Sequence, residues 1–264
     1  TRYRSSAASD VYKRQRIGTG KTKVMMWSQM HGNESTTTKS LFDLLRYLQA
    51  DKSLLKTFQL SIIPILNPDG AKAYTRFNAN QVDLNRDAID LSQIESRVLR
   101  KEFDEFSPDY AFNLHDQRTI FGVEAKPATL SLLAPALDTE RSFNDCRTKA
   151  AQLAASVFQG FQSSSIAAQI GRFDDQFNPN CVGDAFQSLG VPTLLIEAGH
   201  FQDDYHREQT RAFVFNAYVL ALQAIATSTF ADASIYHSIP ENRKIFFDYL
   251  LRNVRYVDHG NEKN

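Results

Sequence analysis

Three short strings carry side chains that could act together: His31-Gly-Asn-Glu34, Asp83-Leu-Asn-Arg86 and Asn113-Leu-His115. They offer two imidazoles and a carboxylate, the donor set a catalytic zinc uses while keeping one position open for water. His31 and Glu34, three apart on a turn, can converge on one ion, and His115 can close the set from a neighbouring strand. A lone histidine is as readily a hydrogen-bonded core or surface residue, and His-x-x-Glu recurs by chance, so agreement between the strings is what gives them weight. Asp83 suits the carboxylate that receives a ligating histidine's second N–H; the alternative is a helix or turn cap. Asn85 and Arg86 form a pair able to grip an anion. Glu197, in Leu194-Leu-Ile-Glu-Ala-Gly199, supplies the base such a metal would need, or else is a strand-end acid bonded to backbone. The chemistry on offer is metal-assisted hydrolysis beside a carboxylate, with one zinc ion as the metal that a His/His/Glu set favours.

These side chains need strands and turns to deliver them. Lys23–Ser28 reads as a buried strand leading to His31, and Leu41, Leu44, Leu45 and Leu48 give Thr36–Ala50 helical spacing. Phe58–Leu66 is a second strand, with Pro64 pointing to an edge or a bulge, and Asn67-Pro-Asp-Gly70 is a turn. A helix over Ser92–Phe106 precedes the strand Tyr110–Leu114, which ends on His115. Cys146–Phe161 reads as a helix, Gly190–Ile196 as a strand ending on Glu197, and Tyr205–Thr227 as a long helix. Strands alternating with helices predict an α/β fold: an open, mixed, mostly parallel β-sheet flanked by helices on both faces. The ligand crevice of such a sheet lies outside the strand C-termini. His200 follows Glu197 by three and is expected to line the same cleft. A last helix over Ile245–Leu251 and a strand-like Val254–Val257 close the chain.

Bulk properties narrow the classes. The 264 residues suffice for one large domain, and no apolar run approaches a membrane span. Thirty basic residues balance thirty acidic ones, which argues against a nucleic-acid or membrane-surface partner. Cys146 and Cys181 could form one bridge or stay free. Thr1–Gln15 shows neither apolar period and resembles translated sequencing-adapter sequence, so it is expected to be non-native or disordered.

Taken with Asn67-Pro-Asp-Gly70 and Asn78-Ala-Asn80, the strings around His31, Glu34, Asp83, Asn85, Arg86, His115 and Glu197 resemble those of the zinc metallocarboxypeptidases, in that family's order. The resemblance spans roughly Lys23–Tyr218. It implies one Zn2+ held by His31, Glu34 and His115, and a peptide substrate whose free C-terminal carboxylate sits on Asn85 and Arg86, for which a guanidinium fork is suited. It also implies Glu197 as general base and acid, and Arg76 as the arginine that polarises the scissile carbonyl. Residues 16–230 would be a zinc carboxypeptidase-like catalytic domain and 231–264 a C-terminal extension, the truncated start of an appended module. One departure is clear: the family's mobile tyrosine, some twenty residues before the catalytic glutamate, has no counterpart in Gly171–Asn178, where Phe173, Gln176 or Phe177 would line the cleft instead.

Two other readings share these residues. Zinc-dependent N-acyl-amino-acid deacylases, relatives of aspartoacylase and succinylglutamate desuccinylase, carry the same ligand set and a Glu-x-Gly like Glu197-Ala-Gly199. A non-catalytic carboxylate-binding module is the other, motivated by the missing tyrosine. The residue preference, the compartment and the oligomeric state are not legible.

Overall fold

The computed structural model describes residues 15–263. The segment 1–14, most of the stretch expected to be non-native or disordered, lies outside the described residues. The first half of the chain runs β1 (Gln15–Ile17), β2 (Thr22–Trp27), α1 (Thr36–Ala50), α2 (Ser53–Thr57), β3 (Phe58–Ile63), α3 (Pro68–Ala73), α4 (Ile94–Phe106) and β4 (Tyr110–Asp116). Next come β5 (Phe121–Val123), β6 (Lys126–Pro127), β7 (Leu130–Leu133), α5 (Asp145–Gly160), β8 (Ile170–Arg172), α6 (Val182–Ser188) and β9 (Thr193–Ala198). The C-terminal part holds α7 (Glu208–Thr227), α8 (Ser234–Ser238), β10 (Arg243–Lys244), β11 (Tyr256–Asp258) and β12 (Asn261–Lys263).

The main sheet has the order β1-β3-β2-β4-β9-β7-β8. Its centre is parallel, β3, β2, β4 and β9 all running one way, while β1 and β7 join antiparallel and β8 runs with β7. The fold is therefore the mixed, mostly parallel α/β sheet with helices on both faces that the strand–helix alternation predicts. Apolar parity explains the layering, since successive side chains on a strand take opposite faces. Val24 and Met26 pack with Leu41, Leu44, Ala154, Val214 and Leu222 from α1, α5 and α7. Met25 and Trp27 pack on the other face with Leu99 and Phe103 of α4 and Phe186 of α6. A strand buried on both sides must be apolar at every position, which is why β2 reads as a run rather than an alternation.

That parity also positions the polar residues. Phe112 and Leu114 of β4, and Leu194 and Ile196 of β9, enter the first core. Asn113, His115, Leu195 and Glu197 consequently face the other side, where β4 and β9 lie in register with His115 opposite Glu197 and Asn113 opposite Leu195.

Several local expectations change. β3 is internal, and Pro64 lies just past its end, where its carbonyl accepts from Ser28 Oγ at 2.6 Å; it marks neither an edge nor a bulge. Asn67-Pro-Asp-Gly70 is not an isolated turn but the start of α3: Pro68 takes the first turn and Asn67 Oδ1 accepts from the Gly70 N–H at 2.8 Å. No helix forms over Ile245–Leu251: Phe247, Leu250 and Leu251 are exposed, the Ile245 and Phe246 amides instead donate to the Ile120 carbonyl at 3.0 and 3.1 Å, and about two turns have little to hold them as a helix. The strand beyond it is β11, and its partner is β12. The stretch after 230 starts within the main body, since Tyr236 and Ile239 are buried in the first core and the Tyr236 hydroxyl accepts from the Ala134 N–H. β7 and β8, unread in the sequence, extend the sheet beyond β9. Both cysteines are free, and no helix among the described residues is long and apolar enough to cross a membrane.

Candidate metal centre

The turn after β2 owes its shape to two glycines. A Cβ on Gly32 would fall 1.9 Å from the Gly70 carbonyl carbon, so the His31–Glu34 turn can only lie against the start of α3 without side chains there. Asn67 Nδ2 donates to Met30 O at 3.1 Å and fixes the same contact. The two motifs are thus one device. Glu34 then stands immediately before α1, whose first amides are capped from β4: Asp116 accepts from Thr36 N at 2.8 Å and Thr37 N at 3.1 Å. That cap was not anticipated. It clamps the residue after His115 onto the helix that follows Glu34.

Between them lies a buried convergence of three donors. His31 Nδ1 is 2.7 Å from Glu34 Oε1, His115 Nδ1 is 2.9 Å from Glu34 Oε2, and the two Nδ1 atoms are 3.2 Å apart. One ligand atom from each residue falls within 4.8 Å of the others. On its far side His31 Nε2 meets Asp83 Oδ1 at 3.0 Å. When that N–H is donated to Asp83, the neutral ring turns its Nδ1 lone pair toward the shared centre, the orientation a metal ligand needs. The donor set fits a divalent cation. Burial would lower His31, yet its bonds to Asp83 and Glu34 raise its pKa; His115 is lowered, because burial there outweighs the pull of Glu34. Burial would raise Glu34, but the two imidazoles hold it down at about 2, so it is an anion at neutral pH.

Asp83 joins the centre to the anion-gripping pair. It accepts from the Asn85 N–H at 2.9 Å and pairs with Arg76, whose Nε is 3.0 Å and Nη2 2.9 Å from Oδ2. Despite burial, His31 and Arg76 keep Asp83 well below the usual carboxylate range. Arg76 Nη1 also comes within 3.7 Å of Glu34. Asn85 Oδ1 accepts from Val182 N at 2.9 Å, while Arg86 Nη1 donates to Asn85 O at 2.6 Å and meets Cys181 Sγ at 2.9 Å. The pair is therefore stitched to the start of α6.

An open cleft of about 1110 Å³ has His31, Glu34, Arg76, Asn85, Arg86, His115 and Glu197 on its walls. Asp83 stands behind them. Burial, and then the charge of Glu34, push Glu197 up to about 8. Phe173, Gln176 and Phe177 line the cleft as the missing tyrosine implied, but His200 does not. Sequence reasoning gave no role to Asn113, Asp116, Arg118 and Arg207, which also line the cleft. Asn113 had a usable signal, because it shares a strand face with His115 two residues on.

Residues 8–116 match the sequence model of the family described as zinc carboxypeptidase. Carboxypeptidase 2 of Trichophyton tonsurans is 34% identical over 100 residues, and that of Trichophyton rubrum 33%. The first part of the chain is thus similar to the zinc carboxypeptidases. Each of those matches takes in 36% of this chain and 19% of the relative's length. Among solved structures, the metallo-carboxypeptidase from Burkholderia cenocepacia aligns with a TM-score of 0.63 at 19% identity, over 83% of this chain and 61% of that one. The carboxypeptidase A from Helicoverpa armigera gives 0.62 at 17%, over 82% and 65%. A succinylglutamate desuccinylase/aspartoacylase from Rhodobacter sphaeroides gives 0.56 at 16%, over 80% and 57%. Carboxypeptidases and a desuccinylase/aspartoacylase thus share this fold, and the fold alone does not separate them.

Proposed function

We propose that this chain is a zinc-dependent metallocarboxypeptidase that hydrolyses the C-terminal amide bond of peptides. The observation that carries the reading is the convergence of His31, Glu34 and His115 on one buried centre, in the same cleft as Glu197 and the Asn85–Arg86 pair. His31, Glu34 and His115 would hold one zinc ion, which supplies Lewis acidity and brings the pKa of a water to about 7.

The chain's own residues do the rest. Arg86 presents a planar fork to the substrate's terminal carboxylate, and the Asn85 side-chain amide, anchored through its oxygen to Val182 N, keeps its N–H groups for the same anion. Glu197 takes the proton of the attacking water and returns it to the leaving amine nitrogen. Burial and Glu34 raise its pKa while His31 and Arg76 lower it, and further positive charge at the ligand centre would favour the ionised form that acts as a base. Arg76, oriented by Asp83, donates to the carbonyl oxygen as negative charge develops there.

The open cleft favours a peptide over a small N-acyl acid, which a closed pocket would hold more fully. The test uses three substrate classes: a peptide with a free C-terminus, the same peptide amidated, and N-acyl amino acids such as N-acetylaspartate and N-succinylglutamate. Mass spectrometry should find the last residue released from the free acid alone. Cleavage of the N-acyl amino acids without peptide trimming would assign the chain to the deacylases instead. Zinc binding with turnover of neither class would favour the binding module.

A further inference from the structure

One guanidinium on the cleft wall reaches the neighbours of Glu34, His115 and Glu197. Arg207 Nε donates to Thr36 Oγ1 at 2.6 Å, two residues past Glu34. Its Nη2 donates to Ala198 O at 3.1 Å, one residue past Glu197, and lies 3.8 Å from Asp116 Oδ2, one residue past His115. Among the described residues it makes no hydrogen bond or ion pair with the three site residues themselves. The segments it touches are also tied to one another. Asp116 N donates to Glu34 Oε2 at 3.1 Å, and Gln117 N donates to the same Ala198 carbonyl at 2.8 Å.

A strained backbone brings Arg207 there. Its φ is +62°, in the left-handed region that a bulky residue rarely takes. Its N–H donates to Asp204 O at 2.9 Å, and Asp204 in turn accepts from Gln209 N at 3.1 Å and Thr210 N at 2.7 Å at the start of α7. The strain is therefore held by a helix whose Val214, Ala217 and Leu222 lie in the first core. Arg211, one turn on, is the contrast. It pairs with Asp43 of α1 at 2.5 and 2.6 Å, lacing the same two helices together, but does not line the cleft.

We propose that Arg207 is a positioning residue: it holds the ends of β4 and β9 against the start of α1, and so sets the separation between Glu197 and the His31–Glu34–His115 centre. The proposal rests on the zinc carboxypeptidase reading, which makes that separation matter to the attack of water. A planar guanidinium can serve Thr36, Ala198 and Asp116 at once, whereas an ammonium on a flexible stem cannot span them.

Zinc affinity separates position from charge. Removing a cation beside the centre would by its field alone tighten a divalent ion, whereas a loosened Glu34 would weaken it. In a competitive chelator titration Arg207→Met should bind zinc about tenfold more weakly. In zinc-loaded protein its kcat should fall about tenfold or more with KM near the native value, since the Asn85–Arg86 pair is untouched. Arg207→Lys keeps the charge and should leave most of both losses in place; it also carries the test should the Met variant fail to fold. Arg211→Met should lower the melting temperature while zinc affinity and kcat stay native. Zinc affinity that is unchanged or tighter in Arg207→Met, or native in Arg207→Lys, overturns the proposal. If the native protein trims no peptide, the carboxypeptidase reading fails by itself, while the chelator titration still decides Arg207.

Discussion

Buried charge stands on one wall of the cleft and behind another, and the two walls use it differently. On one, His31, Glu34 and His115 aim three ligand atoms at a common centre, with the two Nδ1 atoms 3.2 Å apart. On the other, the fully buried Arg147 of α5 distributes its donors outward. Nη2 goes to Asp175 and Nη1 to Arg141 O, both at 2.5 Å, Nε goes to Ala134 O at 3.3 Å, and the guanidinium lies 4.1 Å from the Phe143 ring centre. The second arrangement satisfies every group it touches and binds the 134–143 and 173–178 loops into one wall. The first leaves capacity that only an added cation would use. Convergence on a shared point, rather than burial or charge alone, separates a site for chemistry from a structural anchor.

Substitutions should break the two walls in different currencies. Glu197→Gln should lower kcat by about 10²–10⁴ while melting temperature and zinc content stay at native values. Arg147→Met should do the reverse in kind: about 3 kcal/mol of stability lost in denaturant titrations, because Asp175 and the carbonyls of Ala134, Arg141 and Ser142 lose this partner. Were Arg147→Met to abolish activity in protein that remains folded and stable, the distinction between the walls would collapse. Asp83→Asn should weaken zinc binding about 10–100-fold in a competitive chelator titration, since it orients His31 without touching the centre.

The smallest effect concerns acid. Burial works against Asp175, but Arg147 holds its pKa below the ordinary value. A depressed carboxylate adds stability above its unfolded pKa of about 4, and that contribution fades as pH falls through the lower folded value. The stability gap between native protein and Asp175→Asn should accordingly be full at pH 7 and shrink below about pH 4. A gap that widens in acid would mean Arg147 is not the partner that matters.

The first wall was legible because its residues cluster in short motifs. His31–Glu34, Asp83–Arg86 and Asn67–Gly70 each place their groups within four residues, and the structure explains Gly32 by its approach to the backbone at Gly70, and Gly70 by the Asn67 side chain and the Phe77 carbonyl that a Cβ would meet. β2, β4 and β9 were equally clear, since double-sided burial favours apolar runs, and α1 declared itself through the spacing of Leu41, Leu44, Leu45 and Leu48. The second wall was not. Arg147 sits in a helix whose neighbours read only as alanine-rich, and its partners lie 6, 13 and 28 residues away. β7 and β8 are four and three residues long, too short for a period to declare itself. The helix expected at Ile245–Leu251 failed for the opposite reason: apolar residues were present, but Ile245 and Phe246 are drawn onto the strand at Gly122 while Phe247, Leu250 and Leu251 stay exposed.

The central claim is that one zinc at His31, Glu34 and His115 makes this cleft trim peptides. The most direct measurement adds zinc stepwise to metal-free protein and follows both bound metal and release of a peptide's C-terminal residue. Release should rise in proportion to zinc and level off at one ion per chain, and His115→Ala should show neither tight binding nor release. Full activity in metal-free protein, or a tightly bound stoichiometric zinc that survives His115→Ala, would contradict the account.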